Sequence, residues 1–214
     1  TAFVVEAIRQ VLGLIGVDLL PGPSEVMVIA DEQANARVVA ADLMAQAEHG
    51  SSREKIYLVS LSKETTKAIK AEIKLQLKTA PRKAMINTVL KEGFATISVE
   101  TYDQAIEVAN YVAPEHLELE VDSTQFAKLT KEIRTAGAIM QGEWTATALG
   151  DFVAGPSHEL PTGRMGQYFS GLQLSDFYRR SSVVRYTKRA LEKAAPAAEA
   201  FSRMEGLDAH GKSV

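Results

Sequence analysis

The chain contains no cysteine at all. Disulfides, thiolate nucleophiles and cysteine-based zinc sites are therefore excluded together. Any metal must be held by imidazole, carboxylate or amide groups, and a reducing, cytoplasmic setting is the expectation. No apolar run approaches the length of a membrane span. No basic stripe or polybasic cluster offers a surface to nucleic acid or to a membrane, and the formal net charge is −3. Gly-x-Gly-x-x-Gly, Walker and nucleophile-elbow motifs are missing. The first residue is Thr rather than Met, so the start reads as trimmed, processed or cut from something longer. What remains is an ordinary globular composition, 46% hydrophobic and 24% charged over 214 residues.

Short apolar runs alternate with amphipathic stretches. Strands are expected at 25–30, 55–60, 94–99, 117–121 and 137–140. Helices are expected at 2–12, 38–48, 63–78, 83–91, 102–111 and 124–134. This alternation predicts an α/β fold, Rossmann-like, with a mostly parallel sheet between helices. Ligands in such sheets gather at the carboxyl ends of strands. Beyond residue 163 the pattern changes to a helix over 174–180, an extended piece at 183–186 and a long helix over 188–204 closed by Gly206. The expected division is an α/β domain over 1–170 and a small helical C-terminal region over 171–214.

Gly150–Gly163 (GDFVAGPSHELPTG) holds three glycines and two prolines, which rules out a long helix or a central strand. It carries Asp151 and His158. Only four histidines occur, His49, His116, His158 and His210, and each sits beside a carboxylate, a glycine or a turn. Gln46 and His49 are three apart, a spacing that puts both on one helix face as a borderline-hard ligand pair; Glu48 points elsewhere. Glu115-His116 follows Pro114 at a strand entrance, where an acid and a base could share proton transfers. The competing reading is a turn with two exposed polar side chains. Asp151 would add an anionic oxygen ligand. His210, in a tail, makes sense as a ligand only if the tail reaches a second subunit.

Taken together, several motifs resemble histidinol dehydrogenase: Gly22-Pro23-Ser24-Glu25-Val26, Ala40-Ala41-Asp42-Leu43, Gln46-Ala47-Glu48-His49-Gly50, Asn110–Glu118, Ala136-Gly137-Ala138-Ile139, Gly150–Gly163 and Glu205–His210. The resemblance runs from about Gly16 to the C-terminus. Leu20-Pro21 and Arg164-Met165 depart from the usual flanks. It implies a zinc-dependent enzyme that oxidises L-histidinol to L-histidine through the aldehyde while reducing NAD twice, the last step of histidine biosynthesis. By resemblance, Gln46, His49, Asp151 and His210 are the Zn2+ ligands, with His210 coming from the other subunit of a tail-exchanged homodimer. Glu115 and His116 are the catalytic pair. Ser24, His158 and Glu205 are substrate contacts, and the four metal ligands and His116 also border the substrate. The chain would correspond to the C-terminal half, with the NAD contacts mostly in the N-terminal half and one sheet edge left open. The alternatives are a non-catalytic metal-binding or dimerisation fragment, or a related dehydrogenase of another alcohol.

Overall fold

The run Glu-Val-Met-Val-Ile-Ala is buried at every position and forms the central strand β1 (Glu25–Ala30). A strand covered on both faces needs an unbroken apolar run rather than an alternating one. In the computed structural model, which describes residues 2–214, β1 lies between β2 (Lys55–Ser60) and β4 (His116–Glu120). With the outer strands β3 (Phe94–Ser98) and β5 (Ala138–Gln141) the order is β3-β2-β1-β4-β5, and every pairing is parallel. The α/β parallel fold is thus as the alternation predicts.

Helix α1 (Ala2–Gln10) precedes β1, and the next five helices divide between the two faces of the sheet. On one, Val26, Val28, Ala30, Ile56 and Leu58 pack against α2 (Ala36–Ala47), α3 (Lys63–Gln76) and α4 (Lys83–Glu92). On the other, Met27, Ile29, Val59, Leu117 and Leu119 pack against α5 (Tyr102–Val112) and α6 (Phe126–Glu132). Alternation along β4 therefore turns His116, Glu118 and Glu120 towards the α2 face, and all three are buried. Side-chain caps fix where the helices begin: Asn35 accepts from Arg37 N, Ser62 from Thr65 N and Thr101 from Gln104 N.

The entry to β4 is tightly constrained. Helix α5 closes at Ala113, which is buried and takes a left-handed conformation (φ 50°), a cost of about 1–2 kcal/mol for a residue other than glycine. Pro114 follows and forbids more helix. Gly137 then passes so near the Glu115 carbonyl that a Cβ there would sit 2.6 Å from the oxygen.

The structure departs from the sequence expectations in several places. The α/β unit runs to Asp176, and Phe177–Val214 forms a second compact unit. Strand β4 begins at His116 instead of Leu117, because His116 pairs with both Val26 and Ala138. Residues 124–134 split into a short 3-10 turn (Ser123–Gln125), α6 and an extended Ile133. Gly150, Asp151 and Phe152 belong not to a loop but to a six-residue helix, α7 (Thr147–Phe152). The helix expected over 174–180 is only a 3-10 turn at Leu174–Phe177. The extended piece at 183–186 joins no sheet among the described residues, as expected, and Val183 is 94% exposed. The second unit holds α8 (Lys188–Glu205), closed by left-handed Gly206, and α9 (Asp208–Gly211). No described helix is long and apolar enough to cross a membrane.

Gly137→Ala should lower stability by roughly 1–3 kcal/mol, the usual cost of overpacking, in denaturant unfolding. An unchanged midpoint would show that the Glu115 carbonyl can move aside.

Candidate active site

A cavity of about 610 Å³ opens on the α2 face of the sheet. Ser24, Gln46, His49, Glu115, His116, Asp151 and His158 all line it. Residues separated by more than 130 positions are thus brought together by three things: the parallel pairing of β1 and β4, the C-terminal end of α2, and α7. Glu205 and His210, also expected at the site, lie in the second unit.

Glu115 and His116 are not the exposed turn of the competing reading. They are 7% and 3% exposed. Glu115 Oε2 accepts from the Ser24 hydroxyl at 2.5 Å and from the Glu25 amide at 2.8 Å. Ser24, expected as a substrate contact, therefore holds Glu115 here. His116 Nδ1 lies 3.1 Å from the Glu25 carbonyl oxygen. A carbonyl can only accept, so Nδ1 carries the proton. His116 Nε2 lies 3.2 Å from Asp151 Oδ1. Both ring nitrogens thus face acceptors. Burial alone would lower the His116 pKa, but the Asp151 hydrogen bond and the nearby Glu115 and Asp151 charges outweigh it and raise it. Asp151 shifts the opposite way, downwards, mainly through its hydrogen bond from His116. The two shifts agree in describing one charge-assisted pair.

Gln46 and His49 share the cavity although the helix does not continue between them. Helix α2 stops at Ala47, with Glu48 as its C-cap, so Gln46 is buried and His49 exposed. Glu48, which the helical spacing turns away, also borders the cavity. Gln46 Nε2 is buried without a hydrogen-bond partner. A buried N–H without an acceptor is costly, and an acceptor atom of a bound molecule would relieve that cost; a metal would meet the amide oxygen instead. The amide, the His49 imidazole and the Asp151 carboxylate make a donor set suited to zinc. Among the described residues no three His, Asp or Glu side chains are gathered closely enough to hold a metal by themselves, so this set needs the Gln46 amide and at least one further donor.

Besides Glu48, six cavity-lining residues had no site role expected from sequence: Asp42, Ala45, Arg82, Thr147, Ala148 and Phe152. Asp42 stands four residues before Gln46 on α2, and that spacing alone could have found it. Nothing local marks Arg82, which precedes α4. Behind them lie two further carboxyls of β4. Glu118 is raised to about 8 by burial and then by Asp42, Glu120 to about 7 by burial, and Asp42 itself to about 6 by burial.

The family model for histidinol dehydrogenase matches residues 1–214. The chain belongs to the histidinol dehydrogenase family. Curated histidinol dehydrogenases from Agrobacterium fabrum and Mesorhizobium japonicum are 43% and 41% identical to it over 213 residues, covering 100% of this chain and 49% of theirs. The chain therefore spans about half the length of these relatives. A crystal structure of histidinol dehydrogenase from Elizabethkingia anophelis superposes with a TM-score of 0.91 at 30% identity, over 100% of this chain and 48% of that one.

The raised carboxyls make a pH prediction for this histidinol dehydrogenase relative. Unfolded, they titrate near 4.5 for Glu and 3.8 for Asp. Between those values and about 6–8 the folded chain holds more protons than the unfolded one, so stability falls as pH rises. The raised His116 acts in the same direction above its ordinary value of 6.5. Urea unfolding should give a larger free energy near pH ~5 than near pH ~8.5, and Glu118→Gln should flatten the upper part of that fall. A free energy that climbs towards alkaline pH would contradict these shifts.

Proposed function

We propose that this chain supplies the metal-holding and acid–base half of a histidinol dehydrogenase that converts L-histidinol to L-histidine with two NAD reduced. The observation that carries the proposal is the meeting of Glu115, His116 and Asp151 with Gln46 and His49 in one cavity, in a chain of this family. A soluble, cytoplasmic setting suits such a biosynthetic reaction.

Gln46, His49 and Asp151 would hold Zn2+, with His210 of a second copy as the further donor in a tail-exchanged homodimer. The metal would orient the substrate amine and imidazole and polarise its oxygen when bound. NAD would accept the hydride, bound mostly outside this chain. In the first oxidation the carbinol carbon gives up hydride and the hydroxyl gives its proton to His116. That proton must arrive at Nε2, because Nδ1 already carries one for the Glu25 carbonyl. His116 must therefore enter the reaction neutral, with its Nε2 proton released. In the second, water adds to the aldehyde carbon. Glu115 accepts the water proton while protonated His116 returns its Nε2 proton to the aldehyde oxygen, and the resulting hydrate passes hydride to NAD and a hydroxyl proton back to His116 Nε2, leaving the acid. Ser24 and the Glu25 amide fix one oxygen of Glu115, which directs the other to the water. His158 and Glu205 would complete the substrate pocket.

The test pairs this chain with the N-terminal half of the Agrobacterium fabrum protein and supplies L-histidinol and NAD. Turnover should produce two NADH per substrate consumed. His116→Ala should lower the rate by roughly 10²–10⁴-fold, the usual worth of a general base. Glu115→Gln should slow the second NADH far more than the first, so that aldehyde accumulates. A pairing that reduces NAD equally well after His116→Ala, or that prefers another alcohol, would refute the assignment. A pairing that binds zinc without turnover would make the chain a metal-binding module.

A further inference from the structure

Glu118 is a carboxyl in the middle of a core strand, 1% exposed. Burying a carboxyl costs several kcal/mol unless it is neutralised and hydrogen-bonded. Its Oε1 accepts from the Thr147 amide at 3.0 Å and from the Thr147 hydroxyl at 2.7 Å. Thr147 is the first residue of α7, whose own N-cap, Ala146, offers no side-chain hydrogen bond. None of the six α7 residues is buried, so apolar packing does little to hold this helix. Four residues on, Asp151 meets His116.

The two tethers match in spacing. His116 and Glu118 are two apart on one face of β4, about 6.6 Å along a strand. Thr147 and Asp151 are four apart on α7, about 6 Å along a helix. One strand face thus grips one helix face at two points, with carboxyl and donor reversed between them. We propose that Glu118 is the positioning residue for Asp151: by capping α7 from the sheet, it sets where the Asp151 carboxylate stands in the cavity. This rests on the reading of Asp151 as a metal ligand given above. A protonated Glu118 still accepts through Oε1, so the role needs an acceptor atom and not a charge.

Glu118→Leu keeps the volume and removes the acceptor, and Glu118→Gln keeps both. Two readouts separate the claims. In the metal-free chain, hydrogen–deuterium exchange over residues 147–153 should quicken at least about tenfold in E118L and stay near wild type in E118Q, while β1 and β4 remain protected. Zinc affinity, measured by chelator competition on the same chains, should weaken by roughly 10–100-fold in E118L and recover in E118Q. Thr147→Val removes one of the two hydrogen bonds from the other side and should move both readouts part-way; it decides the matter if E118L does not fold. Unchanged exchange over 147–153, or unchanged zinc affinity in a wild type that binds zinc, overturns the proposal. A wild type that binds no zinc instead sinks the metal reading, and exchange alone then decides whether Glu118 anchors α7.

Discussion

The pairing of β1 with β4, Val26 opposite His116, is the constraint on which the site depends. It brings Ser24 and the backbone of Glu25 beside Glu115 and His116, which come from a segment some ninety positions later. A slip of one residue would turn every β4 side chain to the other face. His116 would then enter the α5 core and Leu117 the cavity. Register is secured by Leu117 and Leu119, both fully buried against Met27, Ile29 and α5. The apolar face of β4 thus fixes the geometry of its polar face.

That polar face is expensive. His116, Glu118 and Glu120 stand where a core strand would ordinarily carry three apolar side chains. Each is partly compensated: His116 by the Glu25 carbonyl and Asp151, Glu118 by Thr147, and the Glu118–Glu120–Asp42 group by taking up protons. The buried Oε2 of Glu118 and Nε2 of Gln46 are left without partners. Local rules that fail together on one side of a sheet, around one cavity, are a common mark of a functional site.

The sheet was legible because β1, β2 and β5 are short, largely apolar runs and β4 alternates apolar with polar residues, each between turn-forming residues. Lys55–Ser60 and Glu25–Ala30 fall where those runs lie. The gathering of Gln46, His49, Glu115 and Asp151 was not derivable from spacing, since it is set by strand order and by where α2 ends. The motifs carried it only as a resemblance. Local reading of Pro114-Glu115-His116 favours an exposed turn, because burial of His116 comes from β5, α7 and the second partner strand, none of which is near in sequence. Asp151 looked like loop because Gly150 and Gly155 dominate its neighbourhood, yet it lies in a short helix whose first amide donates to a carboxyl of β4. The helix expected over 174–180 failed for the opposite reason: the local pattern is present, but large side chains such as Phe177 and Tyr178 remain exposed, so little packing is there to hold a helix.

The most direct test is the protonation state of His116, read from nitrogen-15 chemical shifts of the imidazole in histidine-labelled chain across a pH titration. The Glu25 carbonyl requires that the proton stay on Nδ1, so the neutral ring should be the Nδ1–H tautomer with a bare Nε2 turned to the cavity, the less common form in water. Its midpoint should lie above 6.5 and fall when Asp151 is replaced by Asn. A neutral His116 carrying its proton on Nε2 would mean that the β1 carbonyl does not hold the ring, and the assignment of Nε2 as the accepting atom would be wrong.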